Sequence, residues 1–226
     1  MDRPYLDGRW MEPRSRARML AVAAWVLVLA LVLHFLSVAY QKYAHVDAGA
    51  YGMFWSRRQW LWTHLAGGAL TILLGPLQFI ARLRNTYPRV HRWTGRVYLV
   101  GVLVGITGAA GLISTSPAPF AIQIAFASTG IAWLVTALAG FSAIRSKRTQ
   151  VHRRWMIRNY LVTLAPISFR LAILVPGVMA LASPAVMIPL LLWLSWALPL
   201  LAYEAARAAA PFARLMRSQE PANLSP

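Results

Sequence analysis

The chain contains no cysteine. That excludes disulfides, thiolate metal sites and cysteine nucleophiles. Acidic residues are scarce as well: there are six, and Asp2, Asp7, Glu12 and Glu220 lie close to the two ends. Only Asp47 and Glu204 remain in the interior, so no carboxylate pair is available for acid–base hydrolysis and no Ser-His-Asp set can assemble. Polar connections of domain size are missing too, since the longest, about 41–59, is too short to build a soluble core. No metal site is expected. There is no His-x-x-x-His pair, and the one carboxylate near a histidine is Asp47, two residues from His45.

What fills the chain is apolar sequence. Runs at 19–40, 61–81, 97–114, 120–144, 159–181 and 185–206 are each about long enough to cross a bilayer as a helix. The apolar share is 58% and the charged share 13%, about half of what a soluble domain carries. The expectation is an all-α polytopic integral membrane protein, a six-transmembrane-helix bundle over 19–206. A basic segment, 1–18, precedes it, and a tail without regular structure, 207–226, follows. The first run has no small-residue cleavage site after it and reads as a retained span. Ten tryptophans and eight tyrosines suit a protein with two membrane–water interfaces.

The net charge of +17 would suggest nucleic acid in a soluble protein. Its distribution gives another reason. Arg3, Arg9, Arg14, Arg16 and Arg18 precede the first run, and Arg82, Arg84, Arg89, Arg92 and Arg96 follow the second. Arg145, Lys147, Arg148, Arg153, Arg154 and Arg158 follow the fourth, and Arg207, Arg214 and Arg217 follow the last. Nineteen of the 23 basic residues thus share one side, against Lys42, Arg57 and Arg58 on the other. The positive-inside rule then places both termini in the cytoplasm, with six spans. No nucleic-acid partner is needed. Anionic lipid headgroups are the expected partners of these loops.

Helical spacing separates ordinary runs from informative ones. His64, Gly68, Thr71, Gly75, Gln78 and Arg82 recur every three or four residues, as do His91, Thr94 or Gly95, Tyr98, Gly101, Gly105 and Gly108. His152, Trp155, Asn159, Thr163, Pro166, Arg170 and Gly177 form a third stripe, and His34, Ser37 and Gln41 a shorter one. Small and polar residues in line mark faces turned toward other helices. Packing accounts for the glycines and Thr71; ionisable residues within spans are costly and usually functional. A faint repeat accompanies the stripes: Val90-His91-Arg92-Trp93 leading to Arg96 and Tyr98, and Val151-His152-Arg153-Arg154-Trp155 leading to Arg158 and Tyr160. The pairs of spans two–three and four–five would then be two copies of one hairpin.

Together these residues carry a resemblance. His64-x-x-Gly67, Gly75-Pro76-Leu77-Gln78-Phe79, His91-Arg92-x-x-Gly95-Arg96-x-Tyr98 and His152-Arg153-Arg154-Trp155-Met156-x-Arg158-Asn159-Tyr160 resemble the bacterial membrane proteins grouped as domain of unknown function 2306. The likeness covers roughly 60–175. It implies a multi-pass inner-membrane protein and brings no catalytic residues with it.

Two functional classes follow from the residues. His91 and His152 start helices at one interface, while His34 and His64 lie in the opposite half. Paired imidazoles at two depths resemble the ligands of di-haem b-type cytochromes, with Arg92, Arg96, Arg153 and Arg158 placed for propionates. The first class is therefore a redox component binding haem b or quinone through His64, His91 and His152. The competing account of these histidines is that they only order loops. Arg170 sits near the middle of the run 159–181, where a lone cation costs about 2.5–3.5 kcal/mol, and no acid occurs at that depth. Val162 carbonyl, Gln78, Gln123 or a bound anion would have to meet it. The second class is thus a non-enzymatic binding or transport component for a small anionic or amphipathic molecule or lipid, using Arg170 and Gln78. Glu204 is expected to pair with Arg207 or a loop arginine.

Overall fold

Prolines and glycines punctuate the chain where its helices stop, and the computed structural model, which describes residues 13–218, follows that punctuation. All regular structure among the described residues is helical. Helix α1 covers Pro13–Tyr43 and α2 covers Ala48–Tyr51; a 3-10 turn at Gly52–Arg57 leads into α3, Arg58–Phe79. Next come α4 (Ala81–Thr86), α5 (Pro88–Ser114), α6 (Phe120–Arg145), α7 (Thr149–Thr163) and α8 (Ala165–Ile173). After a 3-10 turn at Val178–Ala180, α9 runs over Pro184–Ser218. The chain divides into two compact units between Ala50 and Tyr51. In the first, the Ser37 hydroxyl donates to the His34 carbonyl at 2.8 Å.

In the second unit two antiparallel pairs, α3 with α5 and α6 with α7, pack most extensively, and α9 lies along α6, α7 and α8. Glycine makes the first pair possible. A Cβ at Gly67 would fall on the backbone of Gly105 and Gly101, and one at Gly108 on the backbone of His64. The two main chains touch there, as small-residue seams in lipid allow. Gly68, by contrast, has nothing within 4 Å of where its Cβ would be. The α3 stripe therefore runs through Gly67, one position away from the expected Gly68. The core between the pairs is Tyr98, Val102, Trp133, Ala137, Tyr160 and Val162.

Among the described residues, five helices are long and apolar enough to cross a membrane: Arg18–Tyr43, Ala48–Phe79, Pro88–Ser114, Phe120–Arg145 and Pro184–Pro211. The run 159–181 is not one helix. It divides between α7 and α8 at Leu164, where Pro166 removes a backbone donor, and α-helix ends at Ile173 ahead of Pro176 and a left-handed Gly177 (φ 79°). Leu164 itself stays in the right-handed region (φ −81°, ψ −3°), so the break is a kink in the chain and not a loop. At the other end α9 continues to Ser218, through the part of the tail expected to lack regular structure. Residues 1–12 and 219–226, which hold Arg3, Arg9 and Glu220, lie outside the described residues.

Candidate functional site

The sequence motifs meet in one half of the bundle. Gly75 leaves a bay on α3 into which the Tyr160 ring of α7 fits. The Tyr160 hydroxyl donates to the Ile72 carbonyl at 3.2 Å, and Phe79 covers the ring at a centroid distance of 5.6 Å. One turn on, Gln78 Nε2 donates to Thr94 Oγ1 at 2.8 Å while its Oε1 lies against the bare face of Gly95. A Cβ at Gly95 would stand 3.1 Å from that Oε1 and crowd the amide.

Tyr98 faces the other way, into α7. Its hydroxyl donates to Asn159 Oδ1 at 2.6 Å and lies 3.1 Å from Thr163 Oγ1. Asn159 Nδ2 donates to the Trp133 carbonyl (2.8 Å) and to Thr136 Oγ1 (2.9 Å). Trp133 Nε1 donates to Thr163 Oγ1 at 2.8 Å, and Thr163 donates on to the Asn159 carbonyl. Tyr98, Asn159, Thr136 and Thr163 are buried, and each finds its partners within the cluster. A closed network of this kind fixes α5, α6 and α7 against one another.

The repeat has the same physical content in both copies. Arg96 lies over Trp93 at 5.1 Å and Arg158 over Trp155 at 4.5 Å, and two residues after each arginine a tyrosine is buried between helices. Arg158 also grips α9. Its Nε and Nη2 both reach Glu204 Oε1 at 2.7 Å, and Arg207 takes Glu204 Oε2 at 2.9 Å. The expected pairing of Glu204 with Arg207 and a loop arginine is thus realised with both.

The histidines are arranged less uniformly. His152, in the first turn of α7, has Nδ1 2.8 Å from the Gly140 carbonyl of α6. A carbonyl only accepts, so Nδ1 carries the proton of that bond. His64 does the same on α3, with Nδ1 2.9 Å from the Gly105 carbonyl. His91, in the first turn of α5, stands within electrostatic reach of His152, Arg84 and Arg92. Its Nδ1 is buried without a hydrogen-bond partner, a state shared among the described residues only by Trp196 Nε1. Arg92 and Arg153 are exposed beside this end. His64 is elsewhere: Gly105 and Thr94 are eleven residues apart on α5, about 16 Å along the axis.

The expected site of Arg170 with Gln78 is not assembled. Gln78 is held by Thr94, one turn on the near side of the Tyr98–Asn159 contact. Arg170 lies eleven residues beyond Asn159, so the two are about 20 Å apart along the bundle. Arg170 is exposed on α8, one turn before that helix ends. Gln123 is likewise engaged, donating to the Ala118 carbonyl at 2.8 Å. Trp133 and Thr136 are the site residues that sequence reasoning missed. Thr129, Trp133, Thr136 and Gly140 recur at helical spacing on α6, a stripe that the reading of the other helices left out.

The family model described as predicted membrane protein (DUF2306) matches residues 61–204. The chain belongs to this family. The match runs from α3 into α9, so every contact of the site but that of Arg207 lies inside the DUF2306 region. With five long apolar helices, this DUF2306 member is a multi-pass membrane protein. No curated protein matches it, and no solved structure does. The described residues of the DUF2306 chain hold no group of three metal-ligating side chains.

Proposed function

We propose that the protein is a redox component of the bacterial inner membrane that holds haem b, or a quinone in its place, at the His91–His152 end of the bundle. One observation carries the reading. His91 and His152, each in the first turn of its helix, stand within electrostatic reach of each other, and the Gly140 carbonyl holds a proton on His152 Nδ1, which leaves Nε2 to serve as a ligand. Haem bound between them would supply one-electron transfer. The chain's own part is to hold the rings and neutralise propionates with Arg92 and Arg153.

In this reading there are six spans, since α7 and α8 together cover 149–173 with only a kink between them, and both termini are cytoplasmic. Reporter fusions after 117 and 183 are expected to be periplasmic, and fusions after 86, 149 and 215 cytoplasmic. A single reversed reporter would refute the six-span order.

The cofactor is tested on protein purified in mild detergent from haem-replete cells. A dithionite-reduced minus oxidised spectrum should show the sharp α-band of low-spin iron, and His91→Ala and His152→Ala should each remove it. A colourless preparation overturns the haem reading. The alternative is a non-enzymatic binding or transport component for a small anionic or amphipathic molecule or lipid, favoured by the Arg84 and Arg92 charges around His91. Headgroups of anionic lipids at the basic loops are the partners expected in either case.

A further inference from the structure

Helix α1 is long and apolar enough to cross the membrane, and its two sides differ. Val32 and Tyr43 are covered, at 1% and 9% exposure. His34 stands two residues after Val32 and Gln41 two before Tyr43, each about 200° around the axis from its neighbour. Both are exposed, and so is Ser37 between them. The polar stripe of α1 thus looks away from the covered side of its own helix.

The stripe is longer than its polar part. Continued toward the N-terminus in alternating steps of three and four, it takes in Ala30, Leu27, Ala23 and Leu20, all exposed. That is a heptad, with Leu20, Leu27, His34 and Gln41 at one core position and Ala23, Ala30 and Ser37 at the other. A period of 3.5 is the seam of a left-handed helix pair, and its small residues let two backbones approach in lipid. A helix facing lipid alone would need neither the period nor the polar groups. His34 lies nine residues from Tyr43 and sixteen from Arg18, about 13 and 24 Å. At that depth an imidazole turned to hydrocarbon is costly.

The chemistry of the polar groups says what meets them. A neutral imidazole has one N–H and one lone pair, and a glutamine amide has both N–H groups and a carbonyl, so each is donor and acceptor at once. Each can therefore pair with its own copy, as an arginine or a carboxylate could not. Every copy of the chain inserts with the same orientation, so a second α1 arrives parallel and brings the same residues to the same depth. The Ser37 hydroxyl is already engaged, on the His34 carbonyl at 2.8 Å. We propose that the exposed heptad of α1 is a homodimer seam, two copies packed in parallel with His34 bonded to His34 and Gln41 to Gln41. The seam uses none of the residues of the haem reading, and a colourless protein leaves it standing.

The absence of cysteine makes the seam readable by single substitutions in the full chain, in native membranes. Under mild oxidation Ala23→Cys and Ala30→Cys should each give a covalent dimer. Val22→Cys and Leu29→Cys, one residue away at nearly the same depth and also exposed, should stay monomeric. Equal cross-linking at all four positions means random collision and overturns the seam. No dimer from Ala23→Cys and Ala30→Cys, or an adduct with a different protein, overturns the second copy as the occupant. Energy transfer between dye-labelled full chains, diluted in detergent micelles, tests the polar pairs. His34→Leu should raise the dissociation constant about fivefold, and His34→Gln, which again donates and accepts, should keep it at the wild-type value. A His34→Leu dimer as tight as the wild type overturns the hydrogen bond across the seam.

Discussion

Gly67→Leu should abolish folding, while Gly68→Ala, one position along, should be silent. At Gly67 any side chain meets the main chain of Gly105 and Gly101, and a helix backbone cannot rotate aside as a side chain can. Overpacking with side-chain relief costs about 1–3 kcal/mol; without relief the α3–α5 seam must open, and the whole pair is lost. Gly68 has open space, so alanine there gains up to about 1 kcal/mol of helix propensity and loses nothing. Size-exclusion profiles and thermal unfolding in detergent separate the two. The reverse pattern would show that α3 is rotated by one residue, about 100° about its axis.

The second large effect belongs to Asn159. Asn159→Leu keeps the volume but removes the two bonds from Nδ2 and the one from Tyr98. Interhelical hydrogen bonds in membranes average about 0.6 kcal/mol and reach about 1.7, so the loss should be about 3 kcal/mol. Tyr98→Phe, which removes one hydroxyl, should cost about 1 kcal/mol. Unfolding in mixed micelles of increasing denaturing detergent measures both. An Asn159→Leu protein as stable as the parent would mean that apolar packing replaces the network without loss, as it does for some buried polar groups.

Helix faces were legible wherever one residue type marked them. The α5 stripe from Tyr98 through Gly108 is buried as expected, because its glycines are isolated and fix the register. On α3 the adjacent glycines 67 and 68 are chemically identical, and only the seam with Gly101 and Gly105 decides between them. Hydropathy placed 159–181 as one span because Leu, Ile and Val are apolar in any backbone. Pro166 and Gly177 divide it through geometry that an average does not see. Of the candidate site, the place of His91 and His152 in the first turns of α5 and α7 could be foreseen from the repeat, since both elements open helices. The partner of His152 could not: Gly140 contributes a carbonyl, and a carbonyl leaves no trace in sequence.

The pairing of Arg158 with Glu204 also sets an order of biogenesis. A nascent chain is released N-terminus first, and every glycine of the α3–α5 seam has been made once residue 111 leaves the ribosome. That hairpin can close at once. Arg158 must wait 46 residues for its carboxylate. Until the last helix is inserted, its guanidinium rests on the Trp155 ring alone. The second hairpin is therefore the late, exposed part of assembly, and a chain interrupted before Glu204 is the form that membrane quality-control proteases should recognise first.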